Sequence, residues 1–318
     1  MNSSSKMIQL IENLKELQSI DQPLHLALGV FDGVHIGHQA VIQSVVDAAK
    51  ADGGVAGVVT FDPHPIRVLA PHLAPQRILA SLNHKGELFA ALGVNVMVVV
   101  PFTQEFANCE AEDFLTKLLN ASRQLKTLAI GEDWKFGKQR QGDIALLKSF
   151  GADNGINISA TSAVMLDGER VSSTRVRQAI RDGNMKATHA MLGREYTVLG
   201  TVVKGRQLGR TIGFPTANLR VHNEQLPNDG VWSVEATLEN GEVVCGAGNL
   251  GIRPTVEGEG ARRMLEIHLL DYSGDLYGTD MEVRFLEYVR AEKKFDSLDD
   301  LKSQIHDDVA FCRNLCQS

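Results

Sequence analysis

A chain of 318 residues with a formal net charge of −7 and 43% hydrophobic side chains has room for two cores, and it is too acidic to be built around a nucleic-acid backbone, although a local basic pocket stays open. Its four cysteines, Cys109, Cys245, Cys312 and Cys316, form no Cys-x-x-Cys pair, which argues against a zinc site or disulfide framework and for free thiols in a reducing cytoplasm. The start, Met-Asn-Ser-Ser-Ser-Lys, lacks the layout of a signal peptide, and no apolar run approaches the roughly 20 residues of a spanning helix, so a soluble cytoplasmic protein acting on small molecules, with no membrane and no nucleic-acid partner, is expected.

In chain order, the apolar run from Leu24 to Phe31 reads as a buried strand, and Val41, Ile42, Val45, Val46 and Ala49 as the inner stripe of a helix. Between them lies Leu28-Gly29-Val30-Phe31-Asp32-Gly33-Val34-His35-Ile36-Gly37-His38. His35 and His38 therefore belong to a strand-to-helix turn, where unpaired N–H groups and a partial positive charge favour an anion and the glycines let it approach closely. Taken alone, a pair of histidines three apart is more often structural than functional. Gly29, Phe31, Asp32, Gly33 and Gly37 around it specify a strand, a tight turn and a helix start, and so favour a nucleotide site.

Further strands are predicted at Val55 to Phe61, Val94 to Val100, Leu125 to Ile130 and Ile156 to Val164, with helices around Lys85 to Leu92, Ala111 to Leu119 and Ile144 to Phe150. Alternation of this kind implies a parallel sheet covered on both faces, with ligands beyond the carboxyl ends of its strands. Three later loops carry matching chemistry. Phe61-Asp62-Pro63-His64-Pro65 is a stiffened loop with an acid and a histidine, and Gly131 to Asp143 mixes Trp134 and Phe136 with Lys135, Lys138 and Arg140. Val171-Ser172-Ser173-Thr174-Arg175-Val176-Arg177 offers three hydroxyls and two guanidiniums at a helix start, suited to a phosphate chain and equally to ordinary capping.

From Lys186 to Gly193 a short helical connector is expected. Beyond Arg194 the pattern changes to strands at Tyr196 to Val203, Val231 to Leu238, Val243 to Ala247, Met264 to Asp271 and Met281 to Val289, with turn signals at Asn240-Gly241 and Ser273-Gly274. An antiparallel barrel is the natural closure. A capping box at Ser297 and an apolar stripe of Leu298, Leu301 and Ile305 predict a terminal helix. Before these strands stands Gly205-x-x-x-Gly209-Arg210-x-x-Gly213-Phe214-Pro215-Thr216-Ala217-Asn218. Its glycines suit a phosphate wrap or a plain hairpin, and Thr216 and Asn218, two apart in an extended segment, put two hard oxygen donors suited to magnesium on one face. Glu266 is a carboxylate inside an apolar strand, which calls for a structural partner or a catalytic role.

Taken together these motifs resemble the bacterial bifunctional riboflavin kinase/FAD synthetase family over essentially the whole chain. Gly-x-Phe-Asp-Gly-x-His-x-Gly-His, Phe-Asp-Pro-His-Pro, Trp-Lys-Phe-Gly-x-x-Arg-x-Gly-Asp and Ser-Ser-Thr-Arg-Val-Arg are similar to the adenylyltransferase half. Gly-Arg-x-x-Gly-Phe-Pro-Thr-Ala-Asn, Asn249-Leu250-Gly251-Ile252-Arg253-Pro254-Thr255, Glu266-x-His268-Leu269-Leu270-Asp271 and Leu276-Tyr277-Gly278 are similar to the kinase half. The resemblance implies a Rossmann-like α/β nucleotidyltransferase domain over residues 1–185, then a six-stranded antiparallel β-barrel kinase domain with a terminal helix over residues 186–318. It implies two reactions: ATP phosphorylates riboflavin to FMN, and a second ATP gives AMP to FMN, yielding FAD and pyrophosphate. ATP is then co-substrate, riboflavin, FMN and FAD are substrates or products, and Mg2+ is the metal.

By that similarity Glu266 is the kinase base, Thr216 and Asn218 hold the metal, and Gly205, Gly209, Arg210, Gly213 and Thr216 surround the nucleotide. Gly29, Phe31, Asp32, Gly33, His35 and His38 are assigned to ATP of the other half, His35 and His38 acting on its phosphates. Ser172, Ser173, Thr174 and Arg175 take the β and γ groups. Asp62, His64, Phe136 and Arg140 are candidates for the flavin or nucleotide pocket. The chain departs from the family at Gly230-Val231-Trp232, where tyrosine is usual, and in Val256 to Arg263, at the flavin-covering segment. Two rivals are weighed. His-Ile-Gly-His also marks class I aminoacyl-tRNA synthetases, but a Lys-Met-Ser-Lys-Ser segment is absent and the second half looks like a kinase. A flavin-binding regulator would have no use for the full set of His35, His38, Thr216, Asn218 and Glu266. Weak self-association stays open at this stage.

Overall fold

The five strands expected in a parallel sheet and the five expected in a barrel resolve into two kinds of sheet in the computed structural model, which describes residues 8–73, 78–205, 207–222, 225–254 and 261–316. The chain divides into two units, Met1–Ser173 and Thr174–Ser318.

In the first unit the strands are β1 (Gln9–Ile11), β2 (Leu24–Leu28), β3 (Val55–Asp62), β4 (Val96–Pro101), β5 (Leu125–Gly131) and β6 (Asn157–Thr161). They form one parallel sheet in the order β1-β4-β3-β2-β5-β6. All five residues of β2 are buried, as a strand covered on both faces requires. Helix α1 (Ile36–Asp52) buries the expected stripe of Val41, Ile42, Val45, Val46 and Ala49 and ends on Gly53 in the left-handed region. Helices α2 (Pro65–Leu69), α3 (Leu82–Ala91), α4 (Gln104–Ala107), α5 (Ala111–Ala121) and α6 (Ile144–Asn154) follow in turn. One face of the sheet packs on α1 and Phe89 of α3, and the other on Phe114, Leu115 and Leu118 of α5. The chain winds outward from β2 through β3 to β4, then resumes on the opposite side with β5 and β6. The strand order therefore reverses between β2 and β5, and the crevice at their carboxyl ends is where such sheets bind ligands.

In the parallel sheet two strands differ most from expectation. Edge strand β1 is three residues long with an exposed Leu10, too short for any periodicity to register. The predicted strand to Val164 stops at Thr161, and a small hairpin of β7 (Met165–Leu166) and β8 (Glu169–Arg170) separates it from the hydroxyl-rich segment.

The segment from α7 (Ser173–Arg181) to α8 (Met185–Leu192) leads into strands β9 (Thr197–Val203), β10 (Ala217–Val221), β11 (Gly230–Leu238), β12 (Val243–Pro254), β13 (Ala261–Leu269) and β14 (Asp280–Arg290). The short helix α9 (Leu208–Thr211) interrupts the connection from β9 to β10. The six strands close into an antiparallel barrel in the order β10-β13-β12-β11-β14-β9. Leu219, Val234, Leu250, Leu265, Ile267 and Phe285 are among the side chains buried in this half. The departure at Trp232 is absorbed by packing: the ring is fully buried, edge-on to Phe285 and Tyr288 at 5.6 and 5.1 Å, and its Nε1 donates to Asn228 O at 3.0 Å. Residues 255–260 of the other departing segment lie outside the described residues, and Arg263 beyond them pairs with Asp229.

Terminal helix α10 (Leu298–Cys316) opens on the expected cap, with Asp300 N donating to Ser297 Oγ at 3.1 Å. It packs on β11 and β12, and the Arg290–Asp308 and Arg313–Asp271 pairs join it to the barrel and the turn after β13. This packing overturns the expectation of four free thiols. Cys245 of β12 and Cys316 of α10 form a disulfide with their Cα atoms 6.3 Å apart, across a sequence separation of 71 that no local spacing could reveal. Cys109 and Cys312 are free, and burial pushes the Cys312 thiol up to about 11.

Candidate functional site

At the crevice of the first unit, β2 ends at Leu28 and the Gly29 N–H donates to Val59 O at 3.1 Å, tying the strand exit to β3. Phe31 adopts a left-handed φ of 49°, which turns its ring back over Gly29 and edge-on to His38 and Phe89, at 5.3 and 5.9 Å. Its ring is a buried prop for the turn. Asp32 is 3% exposed, and its carboxylate accepts the Leu79 N–H at 2.9 Å. Gly33 has a φ of +80°, and a Cβ there would meet Leu79 at 2.6 Å, so only glycine fits.

His35 then caps α1: its Nδ1 accepts the His38 N–H at 3.3 Å. An accepting Nδ1 leaves the proton of the neutral ring on Nε2 and makes that atom a donor. The His35 and His38 rings stack with centroids 3.6 Å apart and planes 17° from parallel. The arrangement offers imidazole edges at a helix amino terminus, an anion-receptive combination.

Other expected residues join this turn. Ser173 Oγ donates to Asp32 O at 2.9 Å, and His64 Nε2 lies 4.0 Å from the Asp32 carboxylate while its Nδ1 caps α2 by accepting Ile66 N–H at 3.2 Å. Ser172 is half-buried beside Ser173, and Thr174 and Arg175 continue into the first turn of α7. Asp62 is exposed at the end of β3. In the loop after β5, Phe136 is buried: its face stacks on Trp134 at 4.9 Å, and two backbone bonds of 3.1 and 2.8 Å join it to Gly142. The ring thus shapes the loop from within and leaves no open face on the Trp134 side. Arg140 sits exposed on the short turn Lys138–Arg140, and among the described residues its side chain makes no ion pair.

Sequence reasoning passed over Lys85. Its ammonium is buried beneath the β2 and β3 ends, 3.4 Å from Val30 O and 3.3 Å from Thr60 Oγ1. Desolvation pulls its pKa below the usual lysine value, against the opposing pull of Asp32 and Asp62. The available signal was its position four residues before Phe89 on the inward stripe of α3.

In the barrel unit, the glycine-rich segment links β9 to β10. Gly213 has a φ of +95°, and Phe214 N donates back to Gly209 O at 2.8 Å. Arg210 is exposed, and Arg206 lies outside the described residues. His268 Nδ1 lies 2.8 Å from Pro215 O, an acceptor only, so the ring donates there. Phe214 meets His268 and His306 of α10 edge-on, at 5.5 and 5.0 Å. Asn218, 8% exposed, stands opposite Glu266 in the β10–β13 ladder. Leu219, Leu265 and Ile267 are fully buried, so the alternation of a strand puts Asn218, Glu266 and His268 on the outer face of the barrel. Gly205 makes room for this group, since a Cβ there would lie 2.5 Å from the Asn218 amide. Thr216, two residues before Asn218, continues the same face. A hydroxyl, an amide and a carboxylate are thereby gathered beside a glycine-lined loop. The hard oxygens of Thr216 and Asn218 fit Mg2+.

Comparison with known proteins follows the same division. A family model described as FAD synthetase matches residues 17–175, and one described as riboflavin kinase matches residues 192–316. A bifunctional riboflavin kinase/FMN adenylyltransferase of Escherichia coli (strain K12) is 39% identical over 308 residues, covering 97% of this chain and 97% of that protein. The protein of the same description from Haemophilus influenzae is 37% identical over 302 residues, covering 95% and 97%. A crystal structure described as a macrolide-efflux protein from Streptococcus pneumoniae superposes with a TM-score of 0.83 at 30% identity, covering 97% of this chain and 99% of that one. No helix among the described residues here is long and apolar enough to cross a membrane.

Proposed function

The chain belongs to the bifunctional riboflavin kinase/FMN adenylyltransferase family, and from that membership we propose which of its residues carry each reaction. It phosphorylates riboflavin with ATP to FMN, then transfers AMP from ATP to FMN, giving FAD and pyrophosphate. In our reading residues 1–185 perform the AMP transfer and residues 186–318 the phosphorylation. The boundary falls in the stretch that neither family model covers.

For the kinase step the nucleophile is a neutral alcohol, so a base is useful. Glu266 takes the proton of the riboflavin 5′-hydroxyl as its oxygen bonds to the γ-phosphorus and the bond to the bridging oxygen of ADP breaks. Thr216 and Asn218 would hold Mg2+, which when bound offsets charge on the phosphates. Gly205, Gly209, Arg210 and Gly213 line the nucleotide. The pairing of Asn218 with Glu266 is the observation that carries this assignment, because it puts donor-side and acceptor-side chemistry on adjacent strands.

For the AMP transfer the nucleophile is the phosphate of FMN, already an anion, so no strong base is needed. A phosphate oxygen of FMN bonds to the α-phosphorus as pyrophosphate leaves, and catalysis rests on positioning and charge stabilisation. We assign His35, His38 and the amino terminus of α1 to that charge, with Gly29, Asp32 and Gly33 setting the approach and Phe31 supporting them from the core. Ser172, Ser173, Thr174 and Arg175 receive the departing phosphates. Asp62, His64 and Arg140 stay flavin or nucleotide candidates, with Phe136 contributing through loop shape. We place the enzyme in the cytoplasm with ATP and flavins as its partners and no nucleic acid; there the Cys245–Cys316 bond would exchange with cellular thiols.

Purified protein given ATP, Mg2+ and riboflavin should accumulate FMN and then FAD on chromatography. FMN without FAD would remove the first unit's assignment, and no flavin product would remove both.

A further inference from the structure

Barrel topology puts β13 between β10 and β12, so Glu266 has two direct cross-strand neighbours. One is Asn218, and the other is Asn249. Leu250 is fully buried, and a Cβ on Gly248 would meet Leu265 and Val234 at 3.2 Å, so the residues flanking Asn249 point inward and Asn249 itself shares the outer face with Glu266. With adjacent strands about 4.8 Å apart, the three side chains form a row in which the carboxylate is central. On its far side Asn249 is paired with Val231, so the polar row ends there.

Asn249 is anomalous within this row. Its Oδ1 is buried and has no hydrogen-bond partner among the described residues. Buried acceptors are normally satisfied, and an orphaned one beside reactive groups marks the place of a missing donor. The reaction identifies that donor. Phosphoryl transfer brings the incoming and departing oxygens to opposite sides of phosphorus. If the nucleotide phosphates lie on the Asn218 side of Glu266, the alcohol has to reach Glu266 from the Asn249 side. The ribityl chain carries a second hydroxyl on the carbon next to the reacting one, an O–H donor at the right place.

Resting on the assignment of Glu266 and Asn218 above, we propose that Asn249 Oδ1 accepts a hydrogen bond from the 4′-hydroxyl of riboflavin and thereby positions the 5′-hydroxyl against Glu266. Asn249 is then a specificity-determining residue of the kinase site: it selects a polyol chain over a simple alkyl alcohol.

The test is steady-state phosphorylation of riboflavin and of 4′-deoxyriboflavin by the full chain and by its Asn249→Ala and Asn249→Ser variants. A denaturant titration followed at Trp232, buried in the same barrel, reports on folding of the variants. The expected result is that Asn249→Ala loses about tenfold or more in kcat/KM for riboflavin, with KM for ATP unchanged. Asn249→Ser, which keeps an acceptor, should recover part of it. The deoxy substrate should cost the unaltered enzyme a similar factor and cost Asn249→Ala nothing further. An undiminished deoxy penalty in Asn249→Ala, a loss that falls on KM for ATP, or full activity of the variant would overturn the proposal. Glu266→Gln, run alongside, separates the two levels: if it retains FMN formation the parent assignment fails, whereas its inactivity with a normal Asn249→Ala removes Asn249 alone.

Discussion

The two units make a site in opposite ways. In the first, parallel strands end together, and the candidate residues collect where they stop: Leu79, the His64 loop and Ser173 converge on Asp32 through single side-chain or backbone contacts. In the second, nothing needs to end. The antiparallel register itself lines up Asn218, Glu266 and Asn249 across three strands on the barrel's outer wall. One site is therefore built from helix caps and turns, with an electrostatic field that suits a nucleophile already charged. The other is built from side chains on rigid strands, which suits the accurate placement of a base.

The comparison is broken most severely by single substitutions that ought to affect one reaction only. Glu266→Gln should lower FMN formation by about 10²- to 10⁴-fold and leave FMN adenylylation intact, as assays of the two half-reactions would show. His38→Ala should do the reverse by about 10²-fold or more. Loss of both activities in either variant would deny the division of labour.

A middle-sized effect concerns what holds each unit. The barrel has a cross-link between Cys245 and Cys316 and the first unit has none among its described residues. Cys245→Ser should destabilise the barrel by about 2–4 kcal/mol and leave the unfolding of the first unit unchanged. Denaturant titration followed at Trp232 for the barrel and at Trp134 for the first unit checks this; equal midpoints for the variant and the unaltered barrel would contradict it.

The smallest effect should come from Lys85. Burial lowers its pKa in the folded state, so between that lowered value and the ordinary one near 10.5 the unfolded chain binds more protons. Stability of the first unit should gain from this group as pH rises through that window. Lys85→Met, which keeps the packed stem, should flatten that part of the pH dependence in thermal melts, and an unchanged slope would show that the ammonium makes no such contribution.

These contrasts also explain what could be read from the chain beforehand. The βα alternation, the stripe of α1 and the cap at Ser297 are local and periodic, so spacing alone reveals them. The His35–His38 turn was legible for the same reason, since glycine, acid and histidine all lie within one connection. The disulfide, the position of Asn249 beside Glu266 and the burial of Lys85 against Thr60 each depend on partners far away in sequence. Phe31 and Phe136 show the converse: an aromatic in a functional motif reads as a ligand contact, whereas packing commits both rings to the core. The one strand of the barrel not marked in advance, β10, is short and begins between Thr216 and Asn218, whose polar character hid its alternation.

Separable sites make one direct demand. Glu266→Gln and His38→Ala proteins, each supplied with riboflavin, ATP and Mg2+, should form no appreciable FAD alone, the first stopping at riboflavin and the second at FMN. Mixed in equal amounts they should restore FAD, because FMN released by one is taken up by the other. A mixture that stays inactive while both proteins remain folded would contradict the account.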